Sequence, residues 1–309
     1  MTPIERVRAA IRGEPVDRPP FSLWYHFGLQ HAPAERTAQA HLEFFDAYHL
    51  DWLKAMNDYS YPMPAGVETL REARDLARLT PFDVTQGQPG EQLKVVAILA
   101  RALRGRALVV DTVFNAWNTL RRNVVKDAMD GLMREHPKEL EAALGVVNDN
   151  LTRYAAASLE RGAAGIFLSV PATAESVTAE QYARFMRPFD LALLEAIRGR
   201  AECLILHAHG GRLYFDEVLS YPVDAISWGD RAGGPSLAEA RRRTALALVG
   251  GIDHTTFPDV SAAAIRDQVR IAVAAAGREK LLLAPGCAVP TYSFPELIRV
   301  ARDAAAKAG

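Results

Sequence analysis

Cysteine is nearly absent from this 309-residue chain: Cys203 and Cys287 are the only two. That excludes a disulfide scaffold and fits a reducing compartment, although two thiols could pair in principle. Long apolar runs are missing too. No window approaches the roughly eighteen uninterrupted apolar residues of a membrane span. The opening stretch MTPIERVRAAIRGEPVDRPP carries charges from residue 5 onward and has no signal-peptide core. A cytoplasmic location is therefore expected. Nor is there an excess of one charge: 36 basic and 37 acidic side chains leave a formal net charge of −1. With no long basic run, neither nucleic acid nor an anionic membrane is expected as a main partner, and a small-molecule substrate is the default. No G-x-G-x-x-G follows the first predicted strand and no Walker pattern occurs, so the usual nucleotide fingerprints are missing. Low-complexity stretches and interdomain linkers are also lacking, which predicts a single domain over 1–309.

What the chain does have is apolar residues, 49% of the total, enough for a large core. They recur in alternation. An amphipathic helix around Pro3–Arg12 precedes eight candidate strands, at 21–27, 51–58, 107–114, 164–171, 202–209, 225–230, 245–253 and 280–287. Helical periodicity separates most of them, as in HPKELEAALGVVNDNLTRYAAASLERG, where Pro137 suits a first turn and Leu140, Leu144, Val147 and Leu151 repeat at three or four. Eight βα units in about 300 residues predict an α/β fold, a (β/α)8 TIM barrel with an N-terminal helical extension, rather than an open doubly wound sheet.

A barrel of this kind presents reactive groups at the carboxyl ends of its strands. Polar residues collect there: Tyr25 and His26, Asn57 and Asp58, Asp111 and Asn115, His207 and His209, Asp230, Asp253 and His254, and Cys287. In ECLILHAHGG (202–211), Cys203, Ile205, His207 and His209 share one parity and Leu204 and Leu206 the other, so both imidazoles leave one face of the fifth candidate strand. A lone histidine there is more often a packing residue than a ligand. Two at the strand's mouth, followed by Gly210-Gly211 that let the backbone turn close to a ligand, shift the balance. Cys203, lower on the strand, reads as a small buried hydrophobe. Cys287 instead follows Pro285-Gly286 where the eighth strand becomes loop, across the mouth from the fifth. Two imidazoles and a thiolate would make a three-ligand zinc site with an open fourth position, the catalytic type. Asp58 and His254 are the candidate catalytic groups, and Tyr25, His26, Asn57, Asp230 and Asp253 are expected to line the substrate pocket.

RVRAAIRGEPVDRPP (6–20), the Asn-Asp at 57–58, the Gly-Gly after the fifth strand, GGIDHTTF (250–257) and LLLAPGCAVP, followed by a helix, resemble the uroporphyrinogen decarboxylase superfamily through nearly the whole chain. The resemblance implies a (β/α)8 barrel, often a homodimer, with two chemistries. One branch decarboxylates uroporphyrinogen without a cofactor, using an arginine-rich loop after the first strand and an aspartate after the second. The other moves a methyl group between a corrinoid protein and a thiol, binding zinc through a His-x-Cys on the fifth strand and a later Cys. This chain has no arginine between Phe21 and Arg36, so the guanidinium clamp for carboxylates is missing, although Asp58 matches the aspartate. The decarboxylase histidine on the last strand is replaced by Cys287. His207 and Cys287 match the first and third zinc ligands, and His209 stands in for the middle cysteine. The expectation is thus a zinc-dependent methyltransferase-like enzyme with a corrinoid as substrate or partner-bound group. A decarboxylase of uroporphyrinogen or a smaller acid is the alternative, and a non-catalytic corrinoid- or tetrapyrrole-binding barrel a third reading. His-x-His also marks metal-dependent amidohydrolase barrels, but there on the first strand, with an aspartate on the last.

Overall fold

The computed structural model describes residues 1–309. Seven parallel strands follow one another around a curled sheet in chain order: β1 (Trp52–Ala55), β2 (Leu108–Phe114), β3 (Gly165–Val170), β4 (Cys203–Ala208), β5 (Ala225–Trp228), β6 (Ala247–Ile252) and β7 (Leu281–Pro285). Helices cover the outside of the sheet, giving an α/β architecture of the TIM-barrel type. No helix is long and apolar enough to cross a membrane.

Eight regular strands do not form. The segment 21–27, expected as the first strand, makes only a single parallel bridge from Phe21 to Leu283. The cause is local. Pro19 and Pro20 have no N–H to offer a ladder, and the Phe21 N–H is taken by the Asp51 carboxylate at 2.7 Å rather than by a neighbouring strand. The segment still spans the gap between the first and last strands. Leu283 donates to the Pro20 carbonyl at 2.8 Å and Ser22 to the Leu283 carbonyl at 3.1 Å on one side; on the other, Asp51 donates to the Phe21 carbonyl at 2.8 Å. The buried Ser22 hydroxyl adds a bond to the Trp52 carbonyl at 2.8 Å.

The RVRAAIRGEPVDRPP motif turns out to be the fastener of this closure. The Asp51 carboxylate accepts from Arg6 Nη1 at 2.6 Å and from Arg18 Nη1 at 2.6 Å, while Asp17 takes Arg6 Nε at 2.7 Å. Arg6 and Asp51 are both buried, so the ion pair is shielded from solvent and each charge depends on the other. The helix Pro3–Arg12, which carries Arg6, is started by a reciprocal Thr2–Glu5 capping box with Pro3 in its first turn.

Side-chain parity divides the apolar residues into two cores. Leu204 and Leu206 of β4 join an outer core between sheet and helices. Cys203 and Ile205 face the lumen, packed with Trp24, Trp52, Leu108, Val110, Phe167, Val249 and Leu282. Val7, Ala10 and Val16 belong to this inner cluster, so the N-terminal helix plugs the amino-terminal end of the barrel. Bulky Trp24, Trp52 and Phe167 fill one side of the lumen, and Ala225, Ala247 and Ala284 keep the other side small.

Candidate metal centre and pocket

His207 is the last lumen-facing residue within β4, and its backbone lies in register with Ser169 on β3 and Ser227 on β5. The ring is buried, stacks on Phe167 with centroids 5.4 Å apart, and places Nδ1 3.2 Å from the Ser227 hydroxyl oxygen. With Nδ1–H donated to that oxygen, Nε2 keeps its lone pair, and Nε2 is buried with no hydrogen-bond partner. An unpaired buried nitrogen of this kind has a desolvation cost, and a cation is the partner that removes it. Burial, then the neighbouring His209, Lys54 and His254, hold the His207 imidazole well below its usual titration range.

His209 follows β4 and is exposed on the mouth of the barrel, its backbone N–H fixed to the Val170 carbonyl at 2.9 Å. Its ring centroid lies 5.9 Å from that of His207. Partial burial and the charge of Arg122 lower its pKa, against a smaller opposing effect of Glu175. Cys287 comes from the far side, just after β7, with Sγ 3.9 Å from His209 Nδ1. One ligand atom from each of His207, His209 and Cys287 lies within 4.8 Å of the other two. Burial raises the Cys287 thiol pKa; the Ala288 N–H and the Lys54 charge oppose the rise.

Two glycines set this geometry. A Cβ on Gly286 would lie 2.8 Å from Gly229 Cα and 2.9 Å from the Trp228 carbonyl oxygen, so only glycine lets the chain before Cys287 pass so close to the end of β5. Gly210, at φ 117°, turns the chain after His209 with its Cα against Thr173. The Gly210-Gly211 pair does not open onto a ligand as the sequence suggested. Gly211 N–H donates to Glu175 at 3.0 Å, so the pair packs against the loop after β3.

The three residues border a pocket of about 340 Å³ at the mouth of the lumen. Its floor is a residue absent from the sequence-based candidates. Lys54, on β1, is 4% exposed, with Nζ 2.9 Å from Met56 Sδ, 4.7 Å from the Phe167 ring centroid and 5.4 Å from that of Trp24. Burial pulls its ammonium down to about 8, against the opposing effects of Cys287, Asp58 and Asp111. The rim carries Arg122, brought there by the wide π-helical turn Leu120–Val125 that follows β2.

The other expected site residues lie in several places. His26 reaches the pocket rim, where Nδ1 stands 2.5 Å from Asp58 Oδ1. Burial alone would raise the Asp58 pKa, but the His26 bond and the nearby Lys54 outweigh it and the carboxyl is lowered. Tyr25 is turned away from the pocket, edge-on to Phe44 at 4.9 Å, and Trp24 takes the lumen position. Asn57 faces a separate cavity lined by Tyr61, Phe82 and Tyr154, donating to the Thr112 carbonyl at 3.2 Å. Asp230 is tied to the Gly251 N–H at 3.0 Å, and burial raises its pKa to about 6. Asp253 binds Thr255 and Thr256 of its own loop. His254 stands beside Gly229 and Gly286, close enough to the histidine pair that burial, and then His209, lower its pKa against the pull of Asp253. Asp111 points outward into a buried network with Gln92, Tyr154 and Ser158.

A curled parallel sheet with a histidine pair and a cysteine at its carboxyl-terminal mouth defines a barrel with an enzyme-like pocket. The family follows from comparison. The family model described as Uroporphyrinogen decarboxylase (URO-D) matches residues 55–308, and the chain belongs to that family. A search of curated protein sequences gives no significant match. Among solved structures, a methyltransferase from Methanosarcina mazei is 17% identical with a TM-score of 0.83, over 99% of each chain. A B12-independent methionine synthase from Shewanella sp. is 13% identical with a TM-score of 0.61, over 94% of this chain and 92% of that one. A beta-mannanase from the blue mussel Mytilus edulis is 12% identical with a TM-score of 0.54, over 93% and 92%. At these identities the likeness is one of fold, and the mannanase illustrates how little a shared barrel says about chemistry.

Proposed function

We propose that the chain is a zinc-dependent methyltransferase that delivers a methyl group from a corrinoid or other small methyl donor to a thiol. The observation that carries this reading is the convergence of His207, His209 and Cys287 from opposite walls of the barrel, with the buried His207 Nε2 lacking any other partner. Three protein ligands of nitrogen and sulfur type leave a fourth position open toward the pocket, as a catalytic rather than structural zinc site requires. Bound there, the ion would supply the Lewis acidity that keeps an acceptor thiol as thiolate at neutral pH. Ser227 would fix the His207 tautomer, and Phe167 its ring plane. His26 and Asp58, joined at the rim, form the pair able to take up or return a proton beside the pocket. A corrinoid protein and a homodimeric state are compatible partners under this reading.

The pocket argues against the alternative, uroporphyrinogen decarboxylation. About 340 Å³ is at the small end of the ~300–1,000 Å³ typical of small-molecule sites. Lys54 and Arg122 are the only lysine and arginine in its lining, a poor match to a large macrocycle with eight carboxylates.

The test is metal analysis of freshly purified protein. About one zinc per chain is expected in the wild type, with His207→Ala and Cys287→Ser each losing most of it. Methyl transfer from methylcobalamin to a small thiol should follow zinc content. Less than about a tenth of an equivalent in wild type, with no uptake on adding zinc, would end the proposal.

A further inference from the structure

Two cations are buried in this molecule, and the chain treats them differently. Arg6 is met by two carboxylates, Asp17 and Asp51. Lys54 is met by none: its one hydrogen-bond partner is a thioether sulfur, and Asp58 and Asp111 act on it only from a distance. An ammonium has three N–H donors, so two remain without an acceptor. The faces of Phe167 and Trp24 supply cation–π attraction, which helps hold a charge in place without neutralising it. A buried charge without a counter-ion is costly, and it persists where a ligand completes it. Lys54 lines the same pocket as the histidines and Cys287, and Arg122 brings a second positive charge to that pocket.

We infer that Lys54 is the seat for an anionic group of the substrate, so that the pocket takes small acids, a thiol with a carboxylate or similar singly charged tail, in preference to neutral thiols. The inference deepens the proposed function by naming the substrate class. It rests on the same pocket being the substrate site. The anion would take the two free N–H donors of Lys54, and a tail anchored on β1 would fix the direction in which the rest of the molecule extends toward the histidine pair.

The experiment compares calorimetric binding of 3-mercaptopropionate and its neutral amide to the zinc-loaded protein, beside propionate and propionamide, which have no thiol. The wild type is expected to bind each acid at least tenfold more tightly than its amide. In Lys54→Met, chosen because the side chain already packs among Trp24, Met56 and Phe167, the preference should vanish with zinc content unchanged; in Lys54→Arg it should survive in part. Equal binding of acid and amide by the wild type overturns the inference. So does an undiminished preference in Lys54→Met, including the case where that variant changes only zinc affinity, since Lys54 would then serve Cys287 alone. If the protein takes up no zinc but still prefers propionate in a Lys54-dependent way, the inference stands and the zinc reading falls. Should Lys54→Met fail to fold, the wild-type preference and the Lys54→Arg protein still decide.

Discussion

Loading the metal-free protein with zinc should release one proton per ion at neutral pH, and the structure says which. His207 and His209 both titrate below the usual 6.5, chiefly because of burial, so above that pH each already offers a free lone pair and has no proton to lose. Cys287 is the reverse. Burial raises its thiol above the usual 9.0, so it is protonated at pH 7 and 8 and must give up that proton to become a ligand. Zinc affinity should therefore rise about tenfold per pH unit between roughly 7 and 9, or ~1.4 kcal/mol per unit. Below about 6.5 the dependence should steepen as His209 begins to compete for protons. Competition with a chromophoric chelator at several pH values gives the slope, and calorimetry in two buffers of different ionisation enthalpy counts the protons directly. In Cys287→Ser the release should fall to zero along with most of the affinity. Two protons at pH 7.5 would mean that an imidazolium is displaced; none in the wild type would mean that the thiol is not a ligand. Either result refutes the reasoning.

Other consequences follow from the packing. Asp51→Ala leaves the buried Arg6, the half-buried Arg18 and the Phe21 N–H without their carboxylate, and a loss of ~3–5 kcal/mol in urea unfolding is expected; a loss under about 1 kcal/mol would contradict the closure described above. Gly286→Ala forces a methyl against Gly229 and the Trp228 carbonyl, so ~1–3 kcal/mol of stability and at least tenfold in zinc affinity should go together, and unchanged zinc binding would count against Cys287 needing that close approach. Asp190 is fully buried with Asn115 and Tyr221, and burial pushes its pKa up to about 7. The folded state thus binds a proton that the unfolded chain releases near 4, and this contribution to stability is lost as pH rises from about 4 through 7. Thermal melts of Asp190→Asn across pH 5–8 should show a shallower decline than the wild type, and parallel curves would refute the assignment.

Periodicity located all seven regular strands, and parity placed His207 correctly in the lumen, because these segments are ordinary ladders in which alternate residues face opposite ways. The same rule failed at residues 21–27, where proline and a side-chain carboxylate replace the ladder. Once the backbone is irregular, parity carries no information, so the lumen position went to Trp24 and Tyr25 turned outward. Asn57 lies beyond the end of β1, where the alternation has lapsed. Asp230 belonged to a set chosen only for polarity at strand ends, and nothing local shows that its carboxylate caps the Gly251 amide. Lys54 was detectable in principle. It alternates with Trp52 and Met56, both inner-core residues, so a strict period-two reading of DWLKAMND already puts an ammonium in the lumen. The joining of His207, His209 and Cys287 could be anticipated because the circular order of a barrel converts sequence order into position around the rim.

The helix Pro3–Arg12 leaves this barrel with a single doorway. Whatever enters must arrive and depart across the rim that bears Arg122 and His209, so a bulky donor seated there shuts in any smaller acceptor already inside. Traffic through such a vestibule is naturally sequential, small molecule first and large carrier second, and turnover would be paced by the carrier's departure.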